Sequence, residues 1–307
     1  MSPTALGTLF VLLAGACSGT MGILGKLAYD EGATVGTLLV VRFTVAAALF
    51  WVLLAVVRAP RPQMTRRDLG LAVGLGAVGY AAQAGAYFAA LSRIDASLVS
   101  LLVYTFPAMV AVAAIAVGRE RASARHGAAL ALALGGVGLV VAGAGTGSLD
   151  PLGVALALAG AVIYSGYILV SDGVAGRLDP RRLAAIVCTG AAVTLVVATA
   201  ALGELRPGAL TAAGWLWLVL LAVVPTFLAI GLFLTGLRLV GPTSAAILST
   251  TEPVATVLLA FAVFGDVLGP FQVLGGALVV ASVPVLHLRR RSRLSMFDDD
   301  RYARAHA

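Results

Sequence analysis

Apolar runs of roughly twenty residues recur along the whole chain, nearly free of charge and separated by short polar breaks. At about 1.5 Å of helical rise per residue, a run of that length crosses the ~30 Å hydrocarbon core of a bilayer. Only 11% of the 307 residues are charged, against roughly 25% in a soluble domain. A water-soluble globule and a disordered chain are both excluded, and the sequence predicts an all-α membrane protein.

Ten windows qualify as spans, at about residues 6–27, 35–57, 70–91, 97–117, 127–145, 152–171, 183–202, 214–237, 243–264 and 270–288. Breakers such as Asp150-Pro151, Asp179-Pro180, Gly241-Pro242 and Gly269-Pro270 mark the connections. No connection is long enough for a domain outside the membrane. The first run has no basic flank before it and flows into similar runs, so the first helix is expected to stay in the mature protein. Cys17 and Cys188 both lie inside apolar runs and read as small packing residues.

Cytoplasmic loops collect Lys and Arg, which fixes the expected orientation. With the N-terminus inside, 17 basic residues fall on the inner side and three on the outer side, Lys26, Arg93 and Arg206. The expected location is a plasma (inner) membrane, crossed many times, with both termini cytoplasmic. The formal charge of +7 is spread between apolar runs. Lipid headgroups, not nucleic acid, are its expected partners.

Sliding the sequence by 146 residues lays Pro107 on Pro253, Ser97 on Thr243 and Glu120 on Asp266. Two repeats of five spans follow, at 5–145 and 150–288, with a cytoplasmic tail at 289–307. An odd number of spans forces the halves into opposite orientations, an architecture common among secondary transporters. The expected fold is therefore ten transmembrane helices in two inverted five-helix repeats.

Few charges lie deep in the spans. Glu252 is about 14 Å into the ninth span and Arg42 about 10 Å from the outer end of the second. A carboxylate at such depth is costly to ionise unless a cation or water supports it. Glu252 is thus a candidate for substrate binding and proton coupling, with packing as the alternative. Arg42 stays charged and needs a carboxylate, helix-end carbonyls or water. It either holds a substrate carboxylate or forms a structural pair with Glu252.

Polar side chains also recur at helical spacing: Tyr80, Gln83 and Tyr87; Ser97, Ser100 and Tyr104; Tyr164, Tyr167 and Ser171. A tyrosine in a cavity offers an apolar ring and a hydroxyl to an amphiphilic solute. Tyr104 is the best-placed of them, and Tyr87 and Tyr164 suit an interfacial belt equally well. Pro107 and Pro253 would leave the carbonyls of Val103 and Ser249 unpaired, making candidate gating kinks with static kinks as the alternative, and Ser249 beside Pro253 either lines the wall with Glu252 or rebonds to the freed backbone. Gly15 with Gly19 and Gly70 with Gly74 have the spacing that lets helices approach closely.

The layout of two five-span halves, Arg42 early in the second span, Glu252-Pro253 in the ninth, and the helix-ending Gly118-Arg119-Glu120 and Gly265-Asp266 resemble the EamA-type drug/metabolite transporters. The resemblance covers about residues 5–288. It implies a carrier of small metabolites, often an exporter, without ATP or a bound cofactor. The expected substrate-binding residues are Arg42, Tyr80, Gln83, Tyr104, Ser249 and Glu252. No catalytic dyad, metal cluster or nucleotide motif can be assembled, so an enzyme is not expected. A channel or a membrane-embedded subunit of a larger complex is the alternative function, and monomer and homodimer are both compatible with the sequence.

Overall fold

Short polar side chains start the helices. Ser2, Thr34, Thr65, Asp179 and Thr211 each accept a hydrogen bond from a first-turn N–H that has no partner inside its helix. The computed structural model describes residues 2–57, 64–119, 121–143, 150–175, 178–240, 245 and 248–287. Glu120, Arg58, Arg61, Arg177, the start of the ninth span and the tail at 289–307 lie outside the described residues.

The helices are α1 (Pro3–Asp30), α2 (Val35–Val56), α3 (Arg66–Gly74), α4 (Ala81–Leu91), α5 (Ala96–Val103), α6 (Phe106–Ala116), α7 (Ala124–Gly143) and α8 (Pro151–Ala175). They continue with α9 (Pro180–Ala201), α10 (Ala212–Ala222), α11 (Ala229–Val240), α12 (Thr251–Phe264) and α13 (Pro270–His287). Two π-helical turns, Leu75–Tyr80 and Val223–Leu228, join α3 to α4 and α10 to α11. No strand occurs among the described residues. Among the described residues eight helical stretches are long and apolar enough to cross a membrane, and Thr251–Phe264 and Pro270–Val285 are shorter apolar helices. The chain is an all-helical, multi-pass membrane protein.

The expectation of mid-helix proline kinks is corrected. Instead of bending one helix, the fourth apolar run breaks at Tyr104 and Thr105, and Pro107 sits in the first turn of α6, where its missing N–H costs little. Pro253 likewise lies in the first turn of α12. The Ser249 carbonyl is not left unpaired, because it accepts the Glu252 N–H at 3.0 Å.

The most extensive helix contacts all join an element before residue 144 to one after residue 150. α7 runs along α13, α2 along α9, α1 against α10, α11 and α12, and α8 against α4 and α6. Missing side chains make these approaches possible. A Cβ added at Gly136 would stand 2.6 Å from the Gly275 carbonyl oxygen, and one at Gly275 2.5 Å from that of Gly136. Gly15 and Gly19 admit α12 in the same way, whereas Gly70 and Gly74 have nothing within 4 Å of an added Cβ, so the expected packing there is not found.

At the end of the bundle where α1 finishes, polar ties bridge the elements. Lys26 pairs with Asp95 at 3.2 Å and Arg93 with Asp150 at 2.9 Å. The Thr34 hydroxyl donates to the Glu204 carbonyl at 2.6 Å, and Thr211 bonds Glu31. The Arg93 hydrogen bond holds the Asp150 carboxyl below its ordinary range. Burial, and then the nearby Asp95, push that of Asp266 up.

Candidate functional site

Pro225 decides the local structure of the eighth apolar run. It has no N–H to give the Leu221 carbonyl four residues earlier. The chain widens there into the second π turn, and the Thr226 hydroxyl donates to the Leu221 oxygen at 3.0 Å. Thr226, fully buried, also accepts the Arg42 Nε–H at 3.0 Å. The Arg42 guanidinium carbon lies 5.1 Å from the Phe43 ring centroid and 5.3 Å from that of Phe88, within cation–π range. Arg42 is 4% exposed, yet its remaining N–H groups have no hydrogen-bond partner among the described residues.

Glu252 is set by a different device. Gly15 and Gly19 let α1 press against the start of α12, and the Thr256 hydroxyl bridges the Gly19 and Glu252 carbonyls, each at 3.1 Å. The carboxylate occupies the first turn of α12, where the helix dipole favours negative charge. It accepts no hydrogen bond among the described residues. No ion pair within 4 Å joins it to Arg42, so the structural Arg42-Glu252 pair is not formed here.

Both residues border one cavity of about 850 Å³. All six expected substrate-binding residues, Arg42, Tyr80, Gln83, Tyr104, Ser249 and Glu252, line it, as does Pro107. Pro253 does not. Of the three polar stripes, Tyr87, Ser100 and Tyr164 also reach the cavity, while Ser97, Tyr167 and Ser171 stay outside its lining. Ser97 Oγ is buried without a partner, and Ser171 bonds back to the Ile168 carbonyl of its own helix at 2.9 Å. Tyr87 and Tyr164 are therefore cavity residues and not belt residues.

Tyr104, Phe106, Tyr164 and Tyr80 give the cavity an aromatic wall, with Tyr167 behind the lining linking Tyr164 to Tyr80, and successive ring centroids lie 4.8–5.9 Å apart. Such a wall accepts an apolar or aromatic body, while the Arg42 cation and the Glu252 carboxylate offer opposite charges to its polar end. The lining extends to Arg125 and His126 at the start of α7. Sequence reasoning missed those two, together with Ser18, Met21 and Thr256. Thr256 had a signal, since Ser249, Glu252 and Thr256 follow i, i+3, i+7, whereas Arg125 and His126 at a span end and Ser18 in a glycine-rich helix stand alone.

Residues 5–142 and 151–287 each match the EamA-like transporter family. The chain belongs to that family. As an EamA-like transporter it is similar to the uncharacterized transporter YcbK of Bacillus subtilis (strain 168), with 27% identity over 278 residues, covering 88% of this chain and 89% of the relative. It is also similar to an uncharacterized transporter of Archaeoglobus fulgidus, 27% identical over 197 residues, covering 64% of this chain and 69% of the relative. A solved structure described only as a protein crystal structure superposes with a TM-score of 0.66 at 20% identity, covering 94% of this chain and 99% of that one. That likeness shows the fold alone. The two EamA-like repeats meet between residues 142 and 151, so α1 to α7 belong to one and α8 to α13 to the other. Arg42 comes from the first and Glu252 from the second.

Proposed function

We propose that this EamA-like transporter is a secondary-active carrier that exports small metabolites such as amino acids or amphiphilic compounds. In this reading it has ten spans in two inverted five-helix repeats, 5–145 and 150–288, in the plasma (inner) membrane with both termini and the 289–307 tail cytoplasmic. The observation that carries it is the 850 Å³ cavity, walled by both repeats, with Arg42 from one and Glu252 from the other. A zwitterion with an apolar body fits that arrangement.

Two further features support the pseudo-symmetry. The π turns begin at residues 75 and 223, a spacing of 148, and α9 packs on the first as α2 packs on the second. The cavity reaches Arg125 and His126 at one end, whereas Lys26-Asp95 and Arg93-Asp150 bridge elements at the other. One bridged end and one lined end suit alternating access, in which rocking of the repeats opens the ends in turn. A channel, or a subunit of a larger complex, is the second reading. Purified protein in proteoliposomes separates them, since a carrier gives saturable counterflow of unlabelled against labelled amino acid and a channel does not.

Two predictions arise here. Reporter fusions after Arg67 and after Gly147 should give opposite signals, cytoplasmic for the first. Equal signals would remove the inverted repeat. Glu252→Gln should fold and express like the wild type while flattening the pH dependence of transport, because it removes the one carboxylate that lines the cavity among the described residues. An unchanged pH profile in a well-expressed variant returns Glu252 to packing.

A further inference from the structure

We propose that Thr226 is a positioning residue: it aims the Arg42 guanidinium into the cavity and so sets affinity for the anionic group of the substrate. The inference rests on the reading of Arg42 as a substrate contact and adds the residue that orients it.

Hydrogen-bond direction is fixed by counting protons. A threonine hydroxyl has one hydrogen, and here it is donated to the Leu221 carbonyl at 3.0 Å. Its oxygen is left as an acceptor, and the Arg42 Nε–H fills that role at 3.0 Å. Nε is the inner nitrogen of the guanidinium, so a bond there fixes the plane and leaves the outer N–H groups for a carboxylate. Phe43 and Phe88 flank the same group and restrict its swing. Pro225 underlies all of this, because without an N–H it leaves the Leu221 carbonyl for the Thr226 hydroxyl.

The pseudo-equivalent contact shows that the fold does not need this polar pair. α9 (Pro180–Ala201) follows α2 (Val35–Val56) by 145 residues, which puts the apolar Val187 on α9 where α2 has Arg42. There the first π turn docks through bare backbone: a Cβ on Gly190 would meet the Val73 carbonyl oxygen at 2.8 Å and the Ala77 nitrogen at 3.1 Å. One contact closes by glycine and the other by Arg42 and Thr226, so a packing requirement does not explain the pair. It also joins the two repeats, one partner from each, which ties the aim of Arg42 to their relative position.

The test uses L-phenylalanine and 2-phenylethylamine, which share an aromatic body and an ammonium and differ in the carboxylate. Binding to the full-length protein in nanodiscs is measured by calorimetry for the wild type, Thr226→Val, Thr226→Ser and Arg42→Met. Thr226→Val should weaken phenylalanine about tenfold and leave phenylethylamine unchanged. Thr226→Ser, which keeps the hydroxyl, should bind phenylalanine within about threefold of the wild type. If Thr226→Val fails to fold, Pro225→Ala provides the second variant, since it returns an N–H to the Leu221 carbonyl and frees the hydroxyl to turn away. It should weaken phenylalanine selectively too. Wild-type phenylalanine affinity in folded Thr226→Val or Pro225→Ala, with Arg42→Met impaired, overturns the positioning role alone. Wild-type affinity in Arg42→Met, or no carboxylate preference in the wild type, overturns the Arg42 reading and this inference with it.

Discussion

Arg42→Met is expected to lower the transport efficiency for a zwitterionic amino acid by about 100-fold, the loss that follows when a desolvated charge partner worth 2–5 kcal/mol is truncated. The protein should remain folded. Because no ion pair ties Arg42 to Glu252, removing the arginine strands no directly bonded carboxylate. A methionine thioether also makes favourable contacts with aromatic rings such as Phe43 and Phe88. Combining Arg42→Met with Glu252→Gln completes a double-mutant cycle, read by thermostability and by uptake into vesicles. Residues that serve only each other rescue one another when both are removed, whereas residues that hold a substrate do not. The double variant should therefore express well and transport no better than the worse single one. Recovery of wild-type transport would sink the assignment of both residues to the site.

Much of the site was legible because charge is scarce in hydrocarbon. Arg42 and Glu252 stood out as deep charges in apolar spans, and the i, i+3, i+7 stripes gave Tyr80, Gln83, Ser100 and Tyr104. The ten apolar windows likewise anticipated most of the helices. The interruptions were harder. Pro107 and Pro253 announce a break, but whether proline bends a helix or begins a new one depends on the neighbours, and here it begins one. The first π turn left no pattern in the sequence, and the second left only Pro225. Thr226 is one threonine in an apolar run, and its partner lies 184 residues away in sequence. The gap between Gly70 or Gly74 and the buried Gly76 illustrates the same limit. All three read alike as small residues, and only the approach of α9 separates them.

That difference gives the last prediction. At Gly76 the backbone of the first π turn lies directly on α9, and an added Cβ would fall on the Val187 carbonyl oxygen and stand 2.8 Å from the Val187 Cα. Both sides of the contact are backbone, so no side chain can swing aside to relieve it. Gly76→Ala must either push the third apolar run off α9 or distort both helices, at a cost of about 3 kcal/mol, the upper part of the range for overpacking a close contact. The same displacement would move Tyr80 and Gln83, which follow in the chain and line the cavity, so transport should fall along with stability. Gly70→Ala and Gly74→Ala are the controls. They lie in the same run with open space around them, and alanine's better helix propensity, worth up to about 1 kcal/mol, should leave them neutral or slightly more stable. Melting temperatures in detergent test the set, and a Gly76→Ala variant that melts with the wild type would show that α9 and the first π turn do not meet as described.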